Sequence, residues 1–300
     1  MKTIKLVHNP SAGDEDVSAD KLVKWIEDAG YRCRYSSTKK DSWKEFEDDV
    51  DLVVVAGGDG TIRKVVKQML RRSVLEKELP LTLLPLGTAN NIAKTLNMQG
   101  DPQTMISRWE KSKKKSIDVG GLYNIEEADF FLESFGYGIF PYLMQEMKKK
   151  EEEYESAQME IKGALKKLRD IILDYESREC RLDVDGTDHS GKFILAEIMN
   201  TKSIGPNLNL APLNDPGDGE LEVVLVPENQ KDKFADYIGH LIQDGKEPFQ
   251  FYTLQGKKIH LSWQGSHVHI DDKVVKLKEN QPVSVEIKSG VLCFLVPPAD

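Results

Sequence analysis

The most constraining feature of the sequence is an apolar run, Asp51 to Ala56 (DLVVVA), that leads directly into the glycine-rich segment GGDGT. A short run without polar alternation is typical of a strand buried on both faces, as in a parallel sheet covered by helices. Strands are predicted at 4–8, 31–36, 51–56 and 81–84, and helices at 18–30, 62–72, 89–96 and 102–111. This alternation predicts an α/β domain with a parallel sheet.

Beyond Ile117 the pattern becomes that of an antiparallel β domain. Strands are predicted at 129–139, 179–185, 192–200, 221–226, 251–263, 267–270 and 283–296, with a hairpin turn at 186–191 and helical insertions at 141–175 and 230–243. A chain of 300 residues also exceeds the roughly 150 of a typical domain. We therefore predict two domains, 1–120 and 121–300.

Charge and hydropathy limit the classes of partner. The formal net charge is −9, which gives no overall attraction to nucleic acid or to an anionic membrane. The amino terminus has no apolar leader, and no segment reaches the roughly 18 apolar residues that span a bilayer. The three cysteines are too scattered for a metal site or a disulfide framework. We expect a cytoplasmic protein whose membrane contact, if it has any, is peripheral.

The segment GGDGT, Gly57 to Thr61, has the placement of a phosphate-binding loop, because it follows a buried strand and opens a helix. Glycines allow the backbone to approach a polyphosphate, and the helix presents free N–H groups to it. Asp59 would repel that ligand unless it holds Mg²⁺, orients water or takes a hydroxyl proton, so it is a candidate functional residue. The structural alternative is a turn in which Asp59 and Thr61 cap the helix.

Two further loops follow predicted parallel strands: NPSAG at 9–13 and PLGTANN at 85–91. Ligands of open parallel sheets bind where the strand carboxyl ends emerge, so three such loops can converge on one nucleotide. For Thr88 and Asn90 the alternative is capping of the next helix, and capping can coexist with ligand contact.

The motifs NPSAG, VVAGGDGTI, LPLGTANNIAKTL and NLAPLNDPGDGELEVVLV, in this order, resemble the diacylglycerol kinase catalytic-domain superfamily. The similarity is to its bacterial soluble lipid kinases, with sphingosine kinases and NAD kinases as relatives. It implies a phosphofructokinase-like α/β domain and a mainly-β sandwich domain, with the active site in the cleft between them. It also implies that the last strand packs back on the first domain.

The resemblance further implies ATP and Mg²⁺ as cofactors. The implied ATP contacts are Asn9, Pro10, Ser11, Gly13, Thr38, Gly57, Gly58, Asp59, Gly60, Thr61 and Thr88, and we add Asn90 from the third loop. The segment DPGDGEL matches an Asp-rich loop that holds a structural Mg²⁺, which implies Asp215, Asp218 and the backbone carbonyl of Glu220 as metal ligands. From the residues alone, this segment is either an oxygen-lined loop for Mg²⁺ or Ca²⁺ or a turn before a strand.

Three positions depart from the family pattern. Asp14 stands where a basic residue is frequent, and Asn91 stands where an Asp usually follows GTAN. Near the carboxyl terminus, HIDDK places Lys273 where many members have the Glu proposed as general base. A lysine is ordinarily protonated at neutral pH and is then a poor base. The candidate catalytic residues are therefore Asp59, Asp272 and Lys273.

The leading hypothesis is an ATP-dependent lipid kinase that phosphorylates a hydroxyl group of a diacylglycerol-like lipid at a membrane surface. The departures leave open a nucleotide-binding pseudokinase or regulatory protein, and a kinase for a soluble polyol or nucleotide is a third possibility. Diacylglycerol, phosphatidylglycerol, a sphingoid base and a polyprenol all remain possible acceptors, and a homodimer is compatible with the sequence.

Two groups of residues in the second half have competing interpretations. A set of apolar residues could line a lipid entry, although buried core is the simpler interpretation: Phe135, Ile139, Phe140, Tyr142, Leu143 and Met144. His267 and His269 share one face of a predicted strand, but no third metal ligand is spaced nearby. We interpret them as histidines of the β domain or its surface.

Overall fold

The computed structural model describes residues 1–12, 17–72, 76–149, 154, 156–245 and 248–298. The chain divides into two compact units. The first unit comprises Met1–Ile117 together with Gly290–Asp300, and the second unit comprises Asp118–Ser289.

The first unit alternates strands and helices, as the sequence predicts. Its elements are β1 (Thr3–His8), α1 (Ala19–Asp28), β2 (Arg32–Ser37), β3 (Leu52–Gly57), α2 (Asp59–Met69), β4 (Leu81–Pro85), α3 (Asn91–Thr95) and α4 (Pro102–Ser107). Short 3₁₀ helices occupy Asp41–Lys44 and Trp109–Lys111, and β5 (Lys113–Tyr123) leads into the second unit.

The strands of the first unit form a parallel sheet in the order β2, β1, β3, β4. Near the end of the chain, Phe294 pairs in parallel with Leu81 of β4, and Thr82 Oγ1 donates a hydrogen bond of 3.0 Å to the carbonyl of Leu295. Every residue of β1 and β3 is buried, because helices cover the sheet. The predicted parallel α/β fold is confirmed.

The second unit is rich in antiparallel strands. In chain order its elements are β6 (Phe130–Phe131), β7 (Ser134–Gly138), α5 (Ile139–Lys149), α6 (Ala157–Asp174), β8 (Arg178–Val184), β9 (Thr187–Asp188), β10 (Gly191–Met199), β11 (Ser203–Ile204), β12 (Leu208–Asn209), β13 (Leu221–Pro227), α7 (Lys231–Ile242), β14 (Tyr252–Gly256), β15 (Lys258–Trp263), β16 (His267–Ile270), β17 (Lys273–Lys276) and β18 (Val283–Val296).

Strand β10 is central to the second unit. It pairs with β13 along one edge and with β8 and then β7 along the other. Strand β7 continues to β16 and β17, whereas β8 continues to β15 and the first residues of β18. One hydrophobic core includes Phe135, Tyr137 and Trp263, and another lies under α5, α6 and α7. The predicted β-sandwich character of this part is confirmed.

Among the described helices, none is both long and apolar enough to cross a membrane.

A buried lysine fixes the segment that follows β2 in the first unit. Lys5 lies in the middle of β1 with 1% of its surface exposed. Its ammonium donates to the carbonyl of Ser42 at 3.4 Å, to the carbonyl of Glu45 and to the carboxylate of Glu47 at 3.2 Å. A buried charge is tolerated when it is fully hydrogen-bonded in this way. Lys5 therefore anchors the chain just after Thr38.

We expect Lys5→Met to keep most of the side-chain volume but to leave these acceptors without a donor. The free energy of unfolding should fall by about 1–3 kcal/mol, and residues 41–47 should exchange their amide hydrogens faster. Urea unfolding and hydrogen exchange measure the two effects. The exposed Lys2→Met serves as the matched control. Equal exchange in both variants would contradict the anchoring role.

Candidate functional site

Three loops leave the carboxyl ends of β1, β3 and β4 at one edge of the first unit's sheet. The register explains why, since His8 pairs with Ala56 and Gly57 pairs with Pro85. The first loop begins at Asn9, the second opens α2, and the third opens α3. These are the loops that the sequence predicts to converge on a nucleotide.

Asn9 connects the first loop to its neighbours. Its N–H donates to the carbonyl of Ala56 at 2.9 Å, and its Nδ2 donates to Thr61 Oγ1 at 3.1 Å. Its Oδ1 accepts from the N–H of Ser11 at 3.2 Å and from Thr38 Oγ1 at 3.4 Å. The structure therefore brings three of the predicted ATP contacts, from three segments of the chain, around a single amide side chain.

The second and third loops approach each other through glycines. A Cβ added to Gly87 would lie 2.6 Å from the Cα of Gly58 and 2.9 Å from Asn90 Oδ1. A Cβ added to Gly57 would lie 2.8 Å from the side chain of Thr61. The N–H of Leu86 also donates to the carbonyl of Gly57 at 3.1 Å. A side chain at Gly87 would force the two loops apart, and one at Gly57 would displace Thr61 within the second loop.

Asp59 caps a neighbouring helix instead of its own. Its Oδ2 accepts from the N–H of Asn91 at 2.9 Å, and its Oδ1 accepts from the N–H of Ile92 at 3.1 Å. The alternative in which Asp59 and Thr61 cap α2 is wrong, because the N-cap of α2 is Gly58 and no side chain makes its cap bond. Asp59 thus joins the second loop to the start of α3.

Asn90 shapes the third loop. Its backbone is left-handed, with φ of 51°, a conformation that asparagine tolerates better than most residues. Its side chain accepts from the N–H of Gly87 at 3.0 Å and donates to the carbonyl of the same residue. Thr88 lies between them and is exposed, so its hydroxyl is accessible to a ligand.

The remaining candidates of the first loop lie at the surface or outside the described residues. Pro10 and Ser11 are exposed, whereas Gly13 and Asp14 fall outside the described residues. Gly60 is half-buried in the first turn of α2.

Sequence reasoning missed Lys94, a half-buried lysine on α3. Burial lowers its pKa, and the nearby negative charge of Asp59 opposes that effect without cancelling it. Its position three residues after Asn91 is the signal that could have identified it, because one helical turn carries it back toward the loop. Near Asp59 there is thus a half-buried lysine.

In the second unit, the segment with Asp215 and Asp218 forms a tight, exposed turn. The Oδ1 of Asp215 accepts from the N–H of Gly217 at 3.1 Å, and the Oδ1 of Asp218 accepts from the N–H of Glu220 at 3.0 Å. Its oxygen donors suit a hard cation such as Mg²⁺, with water to complete the shell. Within the described ranges, however, no cluster of three or more His, Cys, Asp or Glu side chains is placed to hold a metal.

Asp118 supports this turn and was not identified from the sequence. It is 2% exposed, its N–H donates to the carbonyl of Pro216 at 2.7 Å, and its Oδ2 accepts from the N–H of Gly219 at 2.8 Å. The two contacts hold both sides of the turn. A single acidic residue within a strand, as Asp118 is within β5, carries little signal of such a role.

The HIDDK segment forms the two-residue turn between β16 and β17. The Asp271 carboxylate accepts from three backbone N–H groups, those of Leu132, Glu133 and Ser134, at 2.7 to 3.2 Å. Asp271 is therefore a structural residue, whereas Asp272 and Lys273 are exposed.

The candidate lipid-entry residues are mostly core. Phe135, Ile139, Phe140 and Leu143 are at most 3% exposed, whereas Tyr142 is 39% exposed. The simpler of the two interpretations holds for these four residues.

Comparison with known families identifies both parts of the chain. Residues 3–122 match the model of the diacylglycerol kinase catalytic domain. Residues 148–293 match the YegS C-terminal NAD kinase β-sandwich-like domain.

Curated relatives and solved structures agree with these matches. The chain is 24% identical over 251 residues to a diacylglycerol kinase of Bacillus subtilis, covering 79% of this chain and 77% of that protein. It is also 24% identical over 277 residues to one of Staphylococcus epidermidis, covering 87% and 82%.

The fold resembles the crystal structure of a putative diacylglycerol kinase from Bacillus anthracis, with a TM-score of 0.76, 22% identity, and coverage of 99% and 96%. It also resembles an NAD kinase from Archaeoglobus fulgidus in complex with ATP, with a TM-score of 0.54, 12% identity, and coverage of 99% and 94%.

We expect Gly87→Ala to separate the second and third loops, because its Cβ has no room beside Gly58. The free energy of unfolding should fall by about 1–3 kcal/mol, and the amide resonances of Asn91 and Ile92 should shift. Gly30→Ala is the control, because its Cβ meets no atom within 4 Å, so that any loss of stability there comes from its positive φ of 85°, which Gly87 does not share. Unshifted resonances in Gly87→Ala would contradict the close approach of the loops.

Proposed function

Because this chain belongs to the diacylglycerol kinase family, we propose that it transfers the γ-phosphate of ATP to a lipid hydroxyl group. The observation that carries the proposal is the amino terminus of α2. Ser18, Asp101 and Ser156 cap α1, α4 and α6 with their side chains, and Asp59 accepts from the first N–H groups of α3. The N-cap residues of α2 and α7 make no side-chain cap bond, and of these two helices only α2 opens where the three loops meet. An uncapped helix terminus at the meeting point of three loops is suited to a phosphate.

The other loop contacts support the same donor. The side-chain amide of Asn9 lies within hydrogen-bond distance of the hydroxyl groups of Thr38 and Thr61, and Thr88 is exposed on the third loop. A nucleotide phosphate needs such neutral donors together with backbone N–H groups. The NAD kinase with a similar fold is described in complex with ATP, which favours the same nucleotide here.

The acceptor follows from the relatives. The curated relatives are named diacylglycerol kinases, so a diacylglycerol-like lipid at a membrane surface is the acceptor we propose. Peripheral binding from the cytoplasm is part of this proposal, and so is a role in phospholipid synthesis. A homodimer stays a prediction from the sequence.

We assign separate roles to the metal ligands, to Asp59 and to Asp272. Mg²⁺, when bound, would neutralise phosphate charge, and Asp215, Asp218 and the Glu220 carbonyl would hold a structural ion. Asp59 keeps the second loop against α3 through two backbone hydrogen bonds, which makes it a positioning residue. Asp272 is the exposed carboxylate that we assign as acceptor of the lipid hydroxyl proton.

The test is Mg²⁺-dependent transfer of labelled γ-phosphate from ATP to lipids in mixed micelles. We expect wild-type protein to label a diacylglycerol-like lipid, and Asp272→Asn to lower kcat about 100-fold or more with little change in the KM for ATP. Asp272 is preferred to Asp59 for substitution because it is exposed, and because its substitution leaves intact the hydrogen bonds that join the second loop to α3.

The matched control for this substitution is Glu279→Gln, another exposed carboxylate of the second unit. Equal activity of Asp272→Asn and wild type would contradict the assigned proton acceptor. Transfer to a soluble polyol without micelles would contradict the lipid acceptor.

A nucleotide-binding regulatory protein is the second candidate, favoured by Asn91 and Lys273. Asn91 is 1% exposed, and its backbone contacts the Asp59 carboxylate. An aspartate at this position would place two carboxylates together and would require a cation.

We expect the double variant Asn91→Asp, Lys273→Glu to differ from wild type by less than about tenfold in transfer rate, because the wild type is already active. A gain of about 100-fold or more would favour the regulatory candidate, since that is the effect of supplying a missing general base. The single Asn91→Asp variant serves as the control. Its melting temperature should fall in EDTA and recover partly with Mg²⁺.

A further inference from the structure

Three residues in a row across the second unit's sheet place a charged pair in its interior. Glu197 on β10 and His269 on β16 are both direct neighbours of Gly136 on the middle strand, β7. A Cβ on Gly136 would lie 2.0 Å from Glu197 Oε2. The absence of a side chain on the middle strand therefore allows Glu197 to extend over β7 and reach His269.

The contacts of the histidine favour its protonated form. His269 Nε2 lies 2.8 Å from Oε1 and 3.0 Å from Oε2 of Glu197, and its Nδ1 lies 3.2 Å from the carbonyl oxygen of Asp271. With Glu197 ionised, its carboxylate and the carbonyl of Asp271 both accept hydrogen bonds, so each ring nitrogen donates and the ring is an imidazolium.

The surroundings of His269 agree with that state. Burial by itself lowers its pKa, but the charge of Glu197 and the hydrogen bonds to Glu197 and Asp271 outweigh burial and hold the pKa above the ordinary value. The ring faces Glu197 from β10, Asp271 from the turn, Phe140 from α5 at 6.1 Å between ring centroids, and its pairing partner Val274 from β17.

Asp271, the first residue of the turn between β16 and β17, is held by all of its polar groups. The N–H of Asp271 donates to the carbonyl of Ser134, the first residue of β7, at 2.8 Å. Its carboxylate accepts from the N–H groups of Ser134 and of the two residues before it, and its carbonyl accepts from His269. Its φ of 50° is left-handed. Asp272 follows directly, so its direction depends on how firmly Asp271 is held.

We propose that Glu197 and His269 form a buried clamp that fixes the turn at Asp271 and thereby positions Asp272 for proton transfer. The inference rests on the proposed kinase function and deepens it. Both are positioning residues, since both are fully buried and act through Asp271.

The energetics favour a geometric role over a purely stabilising one. Removing two charges from water carries a large desolvation penalty, and apolar residues of similar size often stabilise a core equally well. An ion pair under α5, in a core otherwise built from residues such as Phe140 and Leu195, is therefore best explained by the direction of its hydrogen bonds. The hydrogen bond that connects the pair to the turn runs from His269 Nδ1 to the Asp271 carbonyl.

Kinetics of His269→Gln and Glu197→Gln test the clamp. We expect kcat for lipid phosphorylation to fall about 10- to 100-fold, the effect of displacing a reacting group by about 1 Å, with the KM for ATP changed less than about twofold. The matched control is Ile270→Val, which trims the adjacent buried residue on the opposite core and leaves the pair intact. A purely structural role would make kcat follow the melting temperature in all three variants.

The pH dependence supplies a second readout. The stabilisation that the Glu197–His269 ion pair gives to the folded state is fully present below the ordinary histidine pKa of about 6.5. It is lost as pH rises through the higher pKa of folded His269. We therefore expect wild-type kcat to fall on an alkaline limb that His269→Gln lacks. Nitrogen-15 NMR of the wild-type imidazole should show two protonated nitrogens at pH 6.5.

Three results would each overturn a different part of this proposal. A neutral His269 at pH 6.5 overturns the clamp, whatever the kinetics, and needs no variant to fold. Unchanged kcat in a folded His269→Gln variant overturns the positioning role while the proposed kinase stands. Absence of phosphate transfer to any lipid by the wild type overturns the proposed function, and with it the role of Asp272, even if the imidazolium is found.

Discussion

The parallel register of β1, β3 and β4 is the constraint on which the candidate site depends. Because His8 pairs with Ala56 and Gly57 pairs with Pro85, three strands stop at one edge, and their loops must share a small volume. Crowding of that kind excludes side chains at the points of contact, and it turns backbone groups toward each other, where they need partners. Asn9, Asp59 and Asn90 supply those partners. The same residues lie in the three loops that we propose for phosphate binding.

Much of this arrangement could be predicted from the sequence because its signals are local. Apolar runs and helical periodicity identified the order of strands and helices, and glycines after a buried strand marked the second loop. Helix starts were less predictable. Helix α2 begins at Asp59, three residues before its predicted start at Ile62, because a glycine N-cap carries no side-chain signal. Helix α3 begins at Asn91, two residues later than predicted, because left-handed Asn90 interrupts the chain just before it.

The rest could not be predicted because its partners are distant in sequence. Asp118 binds a turn 101 residues away, and Glu197 reaches His269 across 72 residues. A single glutamate within an apolar strand is normally predicted to face outward. The local sequence around Glu197 does not indicate that a glycine on the neighbouring strand makes room for its side chain. The two aspartates of HIDDK also have different roles, which the motif alone does not reveal. Its first aspartate accepts hydrogen bonds from the backbone, whereas Asp272 and Lys273 are exposed.

The return of the chain end to the first unit has a consequence for biosynthesis. Gly290–Asp300 belongs to that unit, where Phe294 pairs with β4 and Leu295 accepts a hydrogen bond from Thr82, 213 residues earlier. Domains usually fold in order as they leave the ribosome. Here the α/β unit lacks the strand that pairs with β4 until translation has passed the whole intervening β unit. Until then β4 has an open edge, so a nascent chain would have to be protected from pairing with other strands for most of its synthesis.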